Sequence, residues 1–173
     1  MAQRCLAILF ALLLSACGGQ GKVYNRPPEQ VRELLGTVEV PLYMYGNTAE
    51  TEATLDASDP TKIVWKVRAD DHPLMSFTAT LSPEGESKTR VAMDIKGTDV
   101  GKFKRVGGFL AKEKEVRSLY LVTMTEAVDS TLEGRVFDIT RTYPALMNAT
   151  VSTAGRLFPL PNDKRRNEPA AQD

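Results

Sequence analysis

From Ala49 to Ile95 apolar and polar side chains alternate, and a period of two repeated over successive short segments is the pattern of half-buried strands. In Ala49 to Leu55 the inward set is Ala49, Thr51, Ala53 and Leu55, which leaves Glu50, Glu52 and Thr54 in water. Ile63, Trp65 and Val67 share a face opposite Lys66 and Arg68, and Met75, Phe77, Ala79 and Leu81 line up against Ser76, Thr78 and Thr80. Val91, Met93 and Ile95 oppose Arg90 and Asp94. The links are short and carry turn chemistry: Ala57-Ser58-Asp59-Pro60, Asp70-Asp71-His72-Pro73 and Ser82-Pro83-Glu84-Gly85. Parallel neighbours need a long crossover, and these links have no room for one. The sheet is therefore expected to be antiparallel, with one face packed and the other polar.

A sheet with one apolar face needs a cover. Lys112 to Glu133 supplies it, because Val116, Leu119, Tyr120, Thr123, Ala127 and Val128 recur at helical spacing and Gly134 is a natural terminator. Ahead of the strands, Lys22-Val23-Tyr24-Asn25 reads as a brief first strand. Pro27 to Gly36 reads as a short helix with prolines at its start, glycine at its end and an apolar stripe of Val31, Leu34 and Leu35. Val136-Phe137-Asp138-Ile139 is ambiguous, and Pro144 to Ala154 predicts a further helix ended by Gly155. From Pro161 the chain is polar, proline-bearing and aperiodic, as in a disordered tail. The expected class is α+β: a curved antiparallel sheet packed on a long C-terminal amphipathic helix.

The chain opens on Arg4, an apolar run from Cys5 to Leu14, and the small residues Ser15, Ala16, Cys17, Gly18 and Gly19. That is the order of a secretory signal peptide, and a run of about ten residues is half of what a bilayer-spanning helix needs. Leu14-Ser15-Ala16-Cys17 resembles the lipobox of bacterial lipoproteins. The resemblance implies cleavage before Cys17, a diacylglyceryl thioether on its sulfur and usually a third acyl chain on its new amino group. Two or more chains, at about 0.8 kcal/mol per buried methylene, give stable anchoring. Gly18, by the sorting rule of enteric bacteria, implies the outer membrane, facing the periplasm. The bland alternative is a plain cleavage site followed by an incidental cysteine.

On this reading residues 1–16 are the signal peptide, 17–21 an acylated tether, 22–158 a single α+β domain and 159–173 the tail. Removal of Cys5 leaves one cysteine, itself acylated, so no disulfide framework is expected. About 155 residues then suffice for one ordinary core. The 22 basic residues balance the 22 acidic ones. With no basic excess, nucleic acid is not an expected partner.

Lys22 to Leu35 resembles the first strand and Pro-Pro-Glu-x-Val helix of the START-like superfamily, which includes polyketide cyclase-type proteins. Phe77-Thr78-Ala79-Thr80-Leu81, the Ser-Pro-Glu-Gly turn and Lys88-Thr89-Arg90-Val91 are similar to its strand, turn and Thr-x-Val strand. The order strand, helix, antiparallel strands, long helix is that of the helix-grip fold. The chain departs from the pattern after Gly134, where the closing helix should be near the C-terminus and a surplus of residues follows. The resemblance implies a cavity between sheet and helix for a lipid or other hydrophobic ligand, with Trp65, Met75, Phe77, Met93 and Met124 as candidate walls. The same residue types fill an ordinary core equally well.

The inventory for catalysis is thin. His72 is the single histidine and sits in an apparent surface turn. A metal or acid–base site with Asp70 and Asp71 would need adjacent loop residues to converge, with no second histidine or free thiol to complete zinc coordination. Neither a G-x-S-x-G elbow nor a phosphate loop is present. Glu126 and Asp129, three residues apart, read as solvated charge on one exposed helix face, with paired catalytic carboxylates as the alternative. Lys164-Arg165-Arg166 could touch anionic headgroups or solubilise the tail, and Tyr43 and Tyr45 could form a contact patch or plain strand. No enzyme activity, cofactor or metal is expected. The expectation is an envelope lipoprotein that reaches the bilayer through Cys17 and binds a hydrophobic small molecule or lipid. The alternative is a structural lipoprotein that docks on another envelope component.

Overall fold

The alternating segments pair with one another in the order in which they occur. The structure, a computed structural model, describes residues 21–42, 51–69, 72–97 and 114–157. Strands β1 (Lys22–Tyr24), β2 (Thr51–Asp56), β3 (Lys62–Ala69), β4 (His72–Pro83) and β5 (Thr89–Gly97) form one sheet in the order β1-β5-β4-β3-β2. All four pairings are antiparallel. Helix α1 (Pro28–Leu35) lies between β1 and β2 in the chain. Helices α2 (Lys114–Glu133) and α3 (Tyr143–Leu157) follow β5, separated by a 3-10 turn over Ile139–Thr142.

Register explains which residues are covered. Trp65 stands opposite Phe77, and Phe77 opposite Ile95. Val67 faces Met75, Ile63 faces Ala79, and Leu81 faces Val91. Ile63, Trp65, Val67, Met75, Phe77, Ala79, Leu81, Val91 and Ile95 are all buried, as the alternation predicts. Leu74 is also buried, out of phase, because a bulge between Val67 and Arg68 shifts the register and brings Arg68 opposite Pro73. From α1 come Val31 and Leu35, both fully buried, and from α2 come Met124, Val128 and Leu132. Arg32 on α1 donates to the carbonyls of Ala57 and Asp59, which fastens that helix to the β2–β3 turn.

The structure departs from the sequence reading in several places. In β2, Ala53 is exposed and Leu55 is 44% exposed. Both share the face of Trp65 and Val67 but lie on the sheet edge, where the cover ends. Ala49 lies outside the described residues. The long helix is α2 and is not the last element, since α3 packs against it from further along the chain. α3 begins at Tyr143 and runs through Gly155, which therefore does not end it. The ambiguous stretch near Phe137 is neither strand nor long helix but leads into the 3-10 turn, capped by Asp138, whose carboxylate accepts from the Thr140 amide at 3.0 Å. Gly134 does end α2, at φ +67°, with the Arg135 amide bonded back to the Ser130 carbonyl at 2.9 Å.

Candidate ligand-binding site

Five residues were named above as walls of a single cavity, and the structure does not bring them together. Phe77 and Met124 are fully buried and Met75 is 3% exposed, so these three belong to the packed core. Met93 is half-buried and lines an open cavity of about 420 Å³ between the β1–β5 edge and α2, shared with Lys22, Tyr24, Asp94 and Asp129. Trp65 lines a different cavity of about 330 Å³. Cys17, Tyr43, Tyr45, Asp70, Asp71 and Lys164 to Arg166 lie outside the described residues.

The Trp65 cavity forms where the stretch following α1 crosses the sheet edge. Its walls are Val38, Val40 and Leu42 on one side and Ala53, Leu55 and Trp65 on the other, with Glu39 exposed at the rim. The exposure of Leu55 is the open side of this slot. Trp65 is 2% exposed, and its Nε1–H has no hydrogen-bond partner among the described residues. A buried donor without a partner costs free energy that a bound acceptor would recover. Glu39 and Thr54 add polar surface to the aliphatic walls, and the volume sits near the lower end of small-molecule sites, which begin at about 300 Å³.

The cavity beside β1 has a different character. Alternation puts Lys22 and Tyr24 on the packed face, opposite Val91 and Thr89, and there both meet the last turns of α2. The Lys22 ammonium pairs with Asp129 at 2.9 Å and with Glu133, and the Tyr24 hydroxyl donates to Asp129. Arg135 joins Glu133 to Glu126, with Nη2 donating to Glu126 Oε2 at 2.9 Å, and Glu126 also accepts from the Asp138 amide at 3.0 Å. Arg26 adds a bond from Nε to the Leu132 carbonyl at 2.8 Å. Burial and the Asp129 carboxylate push the Tyr24 phenol far above its usual range. Lys22 lies above its usual value, since its two carboxylate partners outweigh the opposing effect of burial. Glu126 is 4% exposed; burial works against its charge, yet Arg135 and the Asp138 amide hold its carboxyl below the usual range. Glu133 is pulled down to about 2 by Lys22 and then Arg135. Each shift moves its group away from the neutral range in which general acids and bases work. The arrangement is an electrostatic clasp that joins the first strand, the long helix and the approach to α3.

The sequence reading placed Glu126 and Asp129 together on an exposed face, and the structure separates their roles. Glu126 is buried against Arg135, whereas Asp129 turns to Lys22 and Tyr24. The signal for Glu126 was present: it continues the stripe of Leu119, Thr123 and Ser130, all of them buried. Its partner was invisible, because Arg135 lies beyond the end of the helix. The reach of Lys22 across 107 residues to Asp129 leaves no local trace at all. His72 is the first residue of β4, opposite Ala69, and not a free turn. Among the described residues, no three His, Cys, Asp or Glu side chains come together to hold a metal ion. No helix among them is long and apolar enough to cross a membrane. No family description, curated protein or solved structure matches the chain.

Proposed function

We propose that this chain is a bacterial envelope lipoprotein, anchored in the outer membrane through acylated Cys17, whose domain holds a hydrophobic small molecule or lipid in the slot beside Trp65. The observation that carries the ligand reading is the slot itself, where Val38, Val40, Leu42, Ala53 and Leu55 surround Trp65, whose buried Nε1–H has no partner among the described residues. An apolar body with a single carbonyl or carboxylate acceptor matches that chemistry. The anchoring reading rests on the order of residues from Arg4 to Gly19. The succession of short strand, proline-led helix, antiparallel strands and long helix supports a helix-grip-like domain, to which α3 is an addition. A non-enzymatic role accords with carboxyl groups and a phenol shifted out of the working range.

Trp65 is the only tryptophan, so its emission reports directly on the slot. Titration of the mature protein with a fatty acid brominated on its chain should quench that emission saturably, and Leu55→Ser should weaken the effect while leaving the thermal midpoint nearly unchanged. Phe77→Ala should do the reverse in character, costing about 3–5 kcal/mol of stability by opening a cavity in the core. Linear, unsaturable quenching that ignores Leu55 would sink the ligand reading.

A further inference from the structure

Helix α3 is built inside out for a helix whose environment is only water and its neighbour α2. Its small residues Ala145 and Ala149 are the buried ones, at 9% and 5% exposure. Its large apolar residues point away: Tyr143 is 50% exposed, Leu146 40%, Met147 63% and Val151 69%. Tyr143, Met147 and Val151 recur every four residues and so lie along one face. Val136, 86% exposed, and Ile139, 42% exposed, add exposed apolar side chains just ahead of the helix, beside the paired Asp138 and Arg141. From Tyr143 to Ser152 there is no charged residue. Large apolar side chains gathered on one exposed helix face mark a contact site.

We infer that the outward face of α3 rests on the bilayer that holds Cys17, as a second contact of the domain with lipid. The inference rests on the anchoring reading above. Only Gly18, Gly19 and Gln20 separate Cys17 from Gly21, and four peptide steps span at most about 14 Å. Whatever lies near Gly21 must therefore lie near the membrane surface. Lys22, the next residue, is paired to Glu133, Glu133 to Arg135, and Arg135 precedes Val136 in the chain. The clasp thus brings the end of the tether beside the start of the apolar surface. An uncharged face with an aromatic hydroxyl among aliphatic side chains suits the boundary between acyl chains and headgroups.

The acylated mature chain, otherwise without a free thiol, is reconstituted in liposomes as Met147→Cys, Val151→Cys or Lys66→Cys and labelled with an environment-sensitive fluorophore. Lys66 is on the polar face of the sheet and serves as the reference. Lipids carrying a nitroxide on the acyl chain should quench the labels at 147 and 151 and spare the label at 66. Equal weak quenching at all three overturns the inference, and so does a label at 147 that is dry yet insensitive to the nitroxide, which would mean a second copy or another protein covers the face. The intact mass of the same sample is read first. An unacylated Cys17 removes the anchoring reading and this inference with it, whereas an acylated chain with unquenched labels overturns this inference alone.

Discussion

Glu126 is the residue on which the C-terminal half of the domain turns. It sits at 4% exposure, satisfied by the Arg135 guanidinium and the Asp138 amide, with Arg141 at 3.7 Å. A carboxylate so buried is tolerated only because its partners are complete, and removing its charge leaves Arg135 facing a neutral group. Glu126→Gln should therefore cost about 2–3 kcal/mol in urea unfolding. A change within the error of the wild-type midpoint would show that the pair contributes nothing. The pH dependence follows from the direction of the shifts. Glu133 falls from 4.5 to about 2 on folding and Glu126 also falls, so the unfolded chain takes up protons first as acid is added. The stabilisation from Glu133 is complete above pH 4.5 and is lost as pH falls toward 2, and that from Glu126 is lost in the same direction. Urea midpoints measured from pH 6 to pH 2 should drop through that window, and Glu133→Gln should flatten the drop. The sequence reading set Glu126 on an exposed face, although its spacing from Leu119 and Thr123 continues the buried stripe of the helix, and its partners come from a turn whose path no local periodicity encodes.

At the scale of elements, legibility followed the range of the interactions. The inner faces of β3, β4 and β5 were readable because each residue's burial depends on alternation alone, and all of the residues from Ile63 through Leu81 assigned inward are buried. β2 carried the same pattern and is nonetheless open at Ala53 and Leu55, because its place at the edge of the sheet is a property of the topology. That openness makes the Trp65 slot, so the candidate site arose where the periodic reading failed. The five wall candidates are apolar residues that the structure divides between the packed core and two separate cavities, and a sequence does not tell a wall from a core. The end of α2 was legible for a local reason. Gly134 adopts φ +67°, a conformation that costs an alanine about 1 kcal/mol, and a methyl group there would meet nothing within 4 Å. Gly134→Ala should thus lower stability by about that amount through the backbone alone, with Gly134→Asn recovering part of it. Equal stability of the glycine and alanine forms would remove the left-handed cap from this account.

The described residues form a five-stranded antiparallel sheet with helices packed on one face, clasped at one end by ion pairs that join β1 to α2. Lys22 of the clasp follows Gly21, where the proposed tether ends, so on that reading the clasp is the part of the domain nearest to whatever holds Cys17. The slot beside Trp65 then lies under the stretch that follows α1, and the uncharged face of α3 lies beyond the clasp. On the proposed reading, anchor, slot and outward helix face belong to a domain that works at a lipid surface, and the anchor and the bilayer contact of the helix both depend on the chemical fate of one cysteine. The intact mass of the chain purified from bacterial membranes, with tandem fragmentation of its N-terminal peptide, measures that fate. The account predicts an N-terminus at Cys17 carrying a diacylglyceryl thioether, and its loss in Cys17→Ser. A mature chain that begins elsewhere, or at an unmodified Cys17, would contradict it.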